Sequence, residues 1–279
     1  MSDANTNNIR RKKTLQELTI TDGFLFGAVM LDPENCRLLL ERILEIPIDH
    51  VEVITEKNII YHPEYKGVRL DVYAKDDKGT RFDVEMQVEK TPVGKRSRYY
   101  HSQMDMEMLT SGTTYDKLPD SYVIFICDYQ PLKEYGQPRY RYTFRSQCQE
   151  DTDIDMNDGV HTIILSNKGT NDEEISAELL SFLQFTNRAL EENTDDSEDL
   201  FIRRLQNSIR TIKADRAMGE RYMLFQEMLN EEREEGRKEG QIKLCDTLIK
   251  NGTLTIDQAA ASIGMTVEEF EKALSQLDE

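Results

Sequence analysis

Two acidic side chains on a predicted hairpin, Asp71 and Glu85, are placed to do chemistry. Residues 69–74 and 81–88 alternate between apolar and polar types, which is typical of strands with one buried face. The residues between them predict a three-residue turn that ends at Gly79, with Gly79 at a positive φ. This register pairs Asp71 with Glu85, so their β-carbons are expected ~5 Å apart on the polar face.

Two carboxylates at this spacing repel each other unless a positive charge lies between them. Mg²⁺ fits this role, because it takes oxygen ligands and is commonly held by one or two carboxylates. Two alternatives stay open at this point. Many hairpins carry acids on a solvated face that binds nothing, and a turn longer or shorter by one residue would place Asp71 and Glu85 on opposite faces.

The hairpin and the segments around it resemble a known enzyme family. An Asp followed by a turn and then Glu-x-Lys on the next strand is the core motif of the PD-(D/E)xK nuclease superfamily, and here it would be Asp71 with Glu85-Met86-Gln87. The chain is similar in particular to the PD-(D/E)xK nuclease family transposases, also called recombination-promoting nucleases. That family is itself marked by Glu-Met-Gln, so Gln87 departs from the superfamily and not from the family. The matching segments follow one another over about the first two thirds of the chain: Thr21–Phe26, Asp83–Gln87, Arg96–Asp105, Gly112 with Tyr115 and Leu118, Tyr122–Cys127 and Asn167–Asn171.

The resemblance implies a fold, an activity and a cofactor. The fold is α/β, a restriction-endonuclease-like mixed sheet flanked by helices, here followed by an acidic, all-helical C-terminal extension. The activity is that of a Mg²⁺-dependent DNA endonuclease linked to transposition or recombination, with Mn²⁺ as a substitute ion.

The resemblance also assigns roles to residues of the hairpin. Asp71 and Glu85 would bind the metal ion, together with the backbone oxygen of Met86. Gln87 cannot act as a cation or as a general base, but it can hydrogen-bond the attacking water or the phosphate. Arg96, on the helix that follows, would supply the missing positive charge, although an arginine at a helix start can equally face solvent.

A further metal ligand is expected on an earlier helix. The superfamily often adds an acid from the first core helix, and Glu41 is the choice here, with Glu34 and Glu45 not excluded.

The net charge of −18 argues against a nucleic-acid enzyme until its distribution is considered, because Lys and Arg dominate phosphate binding. Residues 1–145 hold 21 basic and 23 acidic residues, a net charge of −2. Residues 146–279 hold the other 14 basic and 30 acidic residues, a net charge of −16. The acidity therefore lies mostly outside the predicted catalytic region. DNA is still expected as the partner, though not tightly bound without Mg²⁺ or a further protein partner.

Local patterns predict the elements that position the hairpin. Asp32-Pro33 is typical of a helix start, with an N-cap and a proline at the first helical position. The segment 121–127 is almost continuously apolar, which is typical of a strand buried on both faces. Because a helix at 94–111 lies between the hairpin and this strand, a right-handed crossover with parallel pairing is expected. Further strands are predicted at 51–54, 58–61, 139–145 and 161–165, and a helix at 173–187.

The C-terminal third is predicted to be helical and distinct from the nuclease-like domain at residues 1–190. Residues 191–241 form a helical extension, in which 230–241 lacks large apolar residues and could be an exposed helix or a flexible connector. Residues 242–279 form a small helix-turn-helix-like tail. Its second helix is acidic near its start, which opposes DNA reading, so the C-terminal helices are expected to bind a protein partner or to form a homo-oligomer.

A second hypothesis about function follows from this tail. The chain could be a nuclease-fold interaction module that is catalytically weak or inactive and acts through its acidic helices. The missing Lys and the negative charge favour this hypothesis, whereas the intact set of Asp71, Glu85 and Gln87 favours the enzyme.

The cellular location is predicted from what the sequence lacks. No signal peptide is visible, and the longest apolar run, residues 24–31, is too short to span a bilayer. The four cysteines are scattered without Cys-x-x-Cys pairs, which fits reduced thiols better than disulfides or zinc. A cytoplasmic protein without a membrane partner is therefore expected.

Overall fold

The structure, a computed structural model, describes residues 13–59, 68–109, 111–132, 134, 136–187 and 198–277. The chain forms two compact units, Met1–Asp215 and Arg216–Glu279. The predicted boundary between residues 190 and 191 lies outside the described residues. The predicted boundary between residues 241 and 242 falls inside a continuous helix of the second unit.

The described residues of the first unit contain five helices and six strands. In chain order they are α1 (Gly23–Met30), α2 (Pro33–Leu44), β1 (Val51–Ile59), β2 (Val68–Asp76), β3 (Arg81–Gln87), α3 (Gly94–Met108), β4 (Ser121–Cys127), β5 (Arg141–Phe144), β6 (Val160–Ser166), α4 (Ala177–Asn187) and α5 (Leu200–Ala214). The sequence predicted two short strands where the single strand β1 lies, and residues 60 and 61 of the second one fall outside the described part.

The strands form one mixed sheet in the order β1-β2-β3-β4-β6-β5. The first three strands form an antiparallel meander, and β4 then pairs in parallel with both β3 and β6, as the predicted crossover through α3 requires. β4 is buried along nearly its whole length. The architecture confirms the predicted restriction-endonuclease-like fold, a mixed sheet flanked by helices.

Helices pack on both faces of the β2–β3 hairpin, and Asp83 and Glu85 are buried, which argues against the alternative of acids on a solvated face. On one face, a Cβ at Gly27 of α1 would lie only 3.8 Å from the Asp71 carbonyl oxygen and from the Thr55 Cβ. On the other face, the Tyr73 hydroxyl donates a 3.0 Å hydrogen bond to the Glu107 Oε2 atom of α3, and the Arg96 Nη2 atom of α3 lies 3.6 Å from the Glu85 Oε2 atom. Asp83 and Glu85 are therefore buried next to α3, where charge is far more costly than in water.

Two aspartates fix the helices that close the first unit. Asp32 accepts hydrogen bonds from backbone nitrogens at the start of α2, and it also forms a 2.8 Å ion pair with Arg204 of α5. Asp199 caps α5 in the same way and forms a 2.6 Å ion pair with Arg42 of α2, with both side chains largely buried. Each aspartate therefore serves as a helix cap and as a link between α2 and α5.

The second unit is helical throughout its described residues. It comprises α6 (Arg216–Lys250), α7 (Ile256–Ser262) and α8 (Val267–Leu277). The segment 230–241, for which a helix and a connector were both open, is part of α6. A small core around Phe270 and Ala260 joins α7 and α8 to the C-terminal end of α6, and Gly264 makes the turn at a φ of 73°, where glycine has no steric penalty. Every helix in the described ranges is too short or too polar to cross a bilayer.

Candidate active site

The β2–β3 hairpin adopts the register predicted from the sequence. Tyr73 pairs with Asp83 and Val72 with Val84, and continuing this register places Asp71 opposite Glu85. The turn closes with a 3.1 Å hydrogen bond from the Gly79 nitrogen to the Asp76 carbonyl oxygen, and the φ of Gly79 is 90°. The two acids therefore share a face, and the alternative with opposite faces is excluded.

Each of the two acids also binds the backbone of the opposite strand. The Glu85 Oε1 atom accepts a 3.1 Å hydrogen bond from the Asp71 nitrogen, and the Asp71 Oδ2 atom accepts a 3.3 Å hydrogen bond from the Met86 nitrogen. The side chain of Met86 is buried and points to the opposite face of β3. Only the backbone of Met86 can therefore take part in the site.

Arg96 enters the site from the first turn of α3. Its Nη2 atom lies 3.6 Å from the Glu85 Oε2 atom and donates a hydrogen bond to the Gln87 Oε1 atom. Its Nη1 atom donates a 3.2 Å hydrogen bond to the Thr91 hydroxyl. The guanidinium carbon lies 4.7 Å from the centre of the Phe125 ring and 5.6 Å from the centre of the Tyr100 ring, both within the range of a cation–π contact. The alternative in which Arg96 faces solvent is therefore excluded.

The Gln87 amide is fixed at both ends. Its oxygen accepts from Arg96, and its Nε2 atom donates a 2.8 Å hydrogen bond to the Glu89 carbonyl oxygen. A positive group thus reaches the neighbourhood of residue 87 from α3 rather than from β3.

A third acid, Asp83, lies on the same face and was missed as a site residue. It is fully buried at 0 % exposure. No N–H or hydroxyl group of the described residues donates to its carboxyl oxygens, and the neighbouring carboxyl of Glu85 can share a proton with it when one of the two is protonated. Buried carboxyl oxygens without such a donor are rare, because the desolvation of the group is not compensated. The alternation of β3 already placed Asp83 on the face of Glu85, but only the fold reveals that both side chains are buried.

Burial changes the ionisation of these acids. The pKa of Glu85 is raised to about 8, mainly by burial and then by the negative charge of Asp71, while Arg96 opposes the rise. The pKa of Asp83 is raised well above its usual value, again mainly by burial and then by the charges of Glu85 and Asp71. The face therefore carries more carboxylates than its surroundings can keep ionised, which favours the binding of a proton or of a cation.

Glu41 is not brought to this cluster by any contact in the described structure. It lies near the C-terminal end of α2, where its Oε1 atom accepts a 2.9 Å hydrogen bond from the Ile48 nitrogen and lies 2.8 Å from the Arg37 Nη1 atom. These contacts fix the connection from α2 to β1. The assignment of Glu41 as a metal ligand stays a prediction that these contacts do not support.

Three basic side chains follow the acids in the sequence. Lys90, Lys95 and Arg98, at the end of the hairpin and on the first turns of α3, are all exposed.

Within the described residues, no three His, Cys, Asp or Glu side chains are grouped so that they could hold a metal ion. The case for a cation rests instead on the chemistry of the donors and on the buried oxygens of Asp83.

The comparisons with known proteins identify one family. The family model described as PD-(D/E)XK nuclease family transposase matches residues 24–235, which include the hairpin, α3, α4, α5 and the first part of α6. No curated protein and no solved structure gave a match.

Proposed function

The chain belongs to the PD-(D/E)XK nuclease family of transposases, and on this premise we propose that it is a Mg²⁺-dependent DNA endonuclease that acts in transposition or recombination. Mn²⁺ would serve as an alternative ion. The observation that carries the proposal is the buried face of Asp71, Asp83 and Glu85, with its raised pKa values and with Arg96 beside it.

The residues present suit a hard divalent cation. Mg²⁺ prefers oxygen ligands, and Asp71 and Glu85 offer carboxylates on adjacent strands, with the Met86 carbonyl next to them. The two oxygens of Asp83 are a further buried acceptor pair that a positive charge would satisfy. When bound, the cation would neutralise phosphate charge and lower the pKa of a coordinated water.

Side chains around the acids would bind and orient the phosphate. The Arg96 guanidinium, which is held by Thr91 and Gln87, presents N–H donors to a phosphate in a fixed orientation. Gln87 keeps this guanidinium in place and hydrogen-bonds water or phosphate. We therefore assign to Arg96 the charge that Lys supplies elsewhere in the superfamily, with Gln87 as its positioning residue.

The exposed basic residues define the expected DNA contact. Lys90, Lys95 and Arg98 would bind phosphates on either side of the cleaved bond, which makes affinity dependent on salt. The acidic C-terminal helices would not share this contact, because Glu268 and Glu269 occupy the first turn of α8 and are exposed.

The primary experiment is cleavage of supercoiled DNA with and without Mg²⁺. Asp71→Asn and Glu85→Gln preserve size and remove one charge each, and each should lower the cleavage rate by at least about 100-fold. Glu52→Gln, a matched change at an exposed position of β1, should leave the rate unchanged. Equal rates for wild type and both acid variants would show that the site is wrongly assigned.

A charge swap tests the pairing of Arg96 with Gln87. Gln87→Lys alone would place an ammonium against the Arg96 guanidinium, so it should lower activity even though it restores the superfamily residue. Adding Arg96→Gln removes the repulsion and should recover part of the lost rate. If Gln87→Lys alone is faster than wild type, Arg96 does not occupy the role of the missing Lys.

The interaction-module alternative keeps one specific observation in its favour. The second unit is a separate compact body with its own small core, and it can bind a partner or a second copy of the chain whether or not the first unit cleaves DNA. If wild type shows neither cleavage nor thermal stabilisation with any divalent ion, while loss of residues 242–279 changes the oligomeric state, this alternative becomes the better description.

A further inference from the structure

A cavity lies on the same face of the sheet as the acids, on the far side of α3. The cavity has a volume of about 540 Å³, within the range of small-ligand pockets. The sheet register shows that the acids and the cavity lie on the same face of the sheet. Across the strands from β3 to β5, Glu85 pairs with Phe125, Phe125 with Ile164 and Ile164 with Tyr142. Directly paired residues share a face, so α3 stands over β4 with the acids on one side and the cavity, lined by β6 and β5, on the other.

The cavity combines apolar walls with a polar floor. Its apolar walls include Leu132, Ile164 and Phe144, and Phe144 is 47 % exposed. An aromatic ring that is half exposed beside a cavity is a ready platform for a flat ligand.

The floor is a chain of hydrogen bonds that ends at the cavity. His101 bonds the Ser121 hydroxyl through Nδ1 at 2.8 Å and the Thr162 hydroxyl through Nε2 at 3.2 Å, and Thr162 bonds the Ser97 hydroxyl at 2.6 Å. Burial and the charge of His161 lower the pKa of His101 to about 4, so the ring is neutral and has two tautomers.

The tautomer decides what Ser97 presents to the cavity. With the proton on Nε2, His101 donates to Thr162, Thr162 donates to Ser97, and the Ser97 proton points to a ligand. With the proton on Nδ1 the direction reverses, and the Ser97 oxygen accepts instead. The floor can therefore match either a donor or an acceptor on the edge of a flat ligand.

We propose that this cavity binds an unpaired nucleobase of the DNA substrate, close to the bond cleaved at Asp71 and Glu85. β3 and β6 are two strand spacings apart, about 10 Å in a straight line. Because α3 lies between the acids and the cavity, a DNA strand has to pass around the start of this helix and needs more nucleotides than the roughly two or three that would cover the straight line. Arg98 lines the cavity two residues after Arg96, so phosphates of the same strand can pass over the first turns of α3. The adaptable floor and the stacking ring suit recognition without strict base preference.

This proposal rests on the proposed function for its substrate, but its test does not need cleavage. The full-length protein is titrated, with EDTA present and up to concentrations that saturate weak metal-free binding, into single-stranded oligonucleotides that carry 2-aminopurine at successive positions. One position should change fluorescence on binding. That response should be lost in Phe144→Ala and retained in the control Tyr115→Ala, which alters an aromatic residue that is 86 % exposed and is not among the residues that line the cavity.

A substrate without the base separates a contact from a folding defect. An abasic nucleotide at the responsive position should weaken binding of wild type about 10-fold, and it should cause no further loss in Phe144→Ala. Ser97→Ala should weaken binding of the oligonucleotide that has a base at the responsive position. It should cause no further loss when that position is abasic.

Three results would overturn the proposal. The first is that no labelled position changes its fluorescence on binding. The second is that Phe144→Ala has an equal effect at every labelled position. The third is that the site that depends on Phe144 binds a free mononucleotide but not the oligonucleotide. Because these measurements are made without a divalent ion, an inactive wild type in the plasmid assay would refute the nuclease proposal and leave the base contact to be decided by fluorescence.

Discussion

Replacing Glu85 by Gln should make the cation-free protein more stable at alkaline pH while removing its response to Mg²⁺. The pKa of Glu85 is raised to about 8 from 4.5, so between these values the folded protein holds a proton that the unfolded chain has lost. Stability from this group is therefore complete below about pH 4.5 and is lost as the pH rises through about 8.

The size of the effect follows from the shift. One pKa unit corresponds to about 1.4 kcal/mol, so the ionised Glu85 lowers stability by about 3 to 5 kcal/mol above pH 8. Gln keeps the acceptor for the Asp71 nitrogen but loses the 3.6 Å ion pair with Arg96, which reduces the gain. A net increase of about 2 kcal/mol is expected, or about 4 to 8 °C in melting temperature for a unit of this size.

The assay is thermal unfolding of wild type, Glu85→Gln and Glu52→Gln at about pH 6 and about pH 9, with and without Mg²⁺. Glu85→Gln should gain on wild type as the pH rises, and Glu52→Gln should follow wild type. Saturating Mg²⁺ should raise the melting temperature of wild type and of Glu52→Gln, because a ligand that binds only the folded state stabilises it. A stability difference between Glu85→Gln and wild type that does not change with pH would refute the reasoning.

Three further changes probe other parts of the structure. Arg96→Met removes the charge that lowers the pKa of Glu85, so a titration of melting temperature against pH should show that stabilisation by Mg²⁺ begins at a higher pH than in wild type. Phe270→Ala empties the centre of the small C-terminal core and should destabilise that unit by about 3 to 5 kcal/mol, seen as faster hydrogen exchange in residues 216–277 with residues 13–187 unaffected. Asp199→Ala removes the α5 cap and leaves the largely buried Arg42 unpaired, so chemical denaturation should show a loss of about 2 to 4 kcal/mol.

The hairpin could be predicted from the sequence because its determinants are local. Alternation fixes which residues share a face, and a single glycine fixes the turn, so the placement of Asp71 opposite Glu85 needs no knowledge of the rest of the chain. The apolar run of β4 and the helix between it and β3 are likewise local signals, and they were sufficient for the parallel pairing.

The environment of the hairpin could not be predicted in the same way. The polar alternation of β3 indicates solvent, and only the fold buries Asp83 and Glu85, which is why Asp83 was overlooked. The link from Arg96 to Gln87 depends on where α3 crosses the sheet, a tertiary property that spacing does not encode. Glu41 was chosen from its residue type and its position on an early helix. In the structure its carboxylate contacts Arg37 and the Ile48 nitrogen and not the acids of the hairpin.

The ion pairs between α2 and α5 bear on how the chain can fold during synthesis. Arg42 forms its ion pair with Asp199, which lies 157 residues further along the chain. Asp32 forms its ion pair with Arg204, which lies 172 residues further along. The hairpin is available early because its contacts are local, whereas contacts of such long sequence separation form late and slowly. Until α5 has emerged from the ribosome, the sides of α1 and α2 that α5 will cover stay open to solvent, and an unfinished chain is exposed to aggregation or to chaperones. Completion of the nuclease-like unit is therefore tied to synthesis of its last helix.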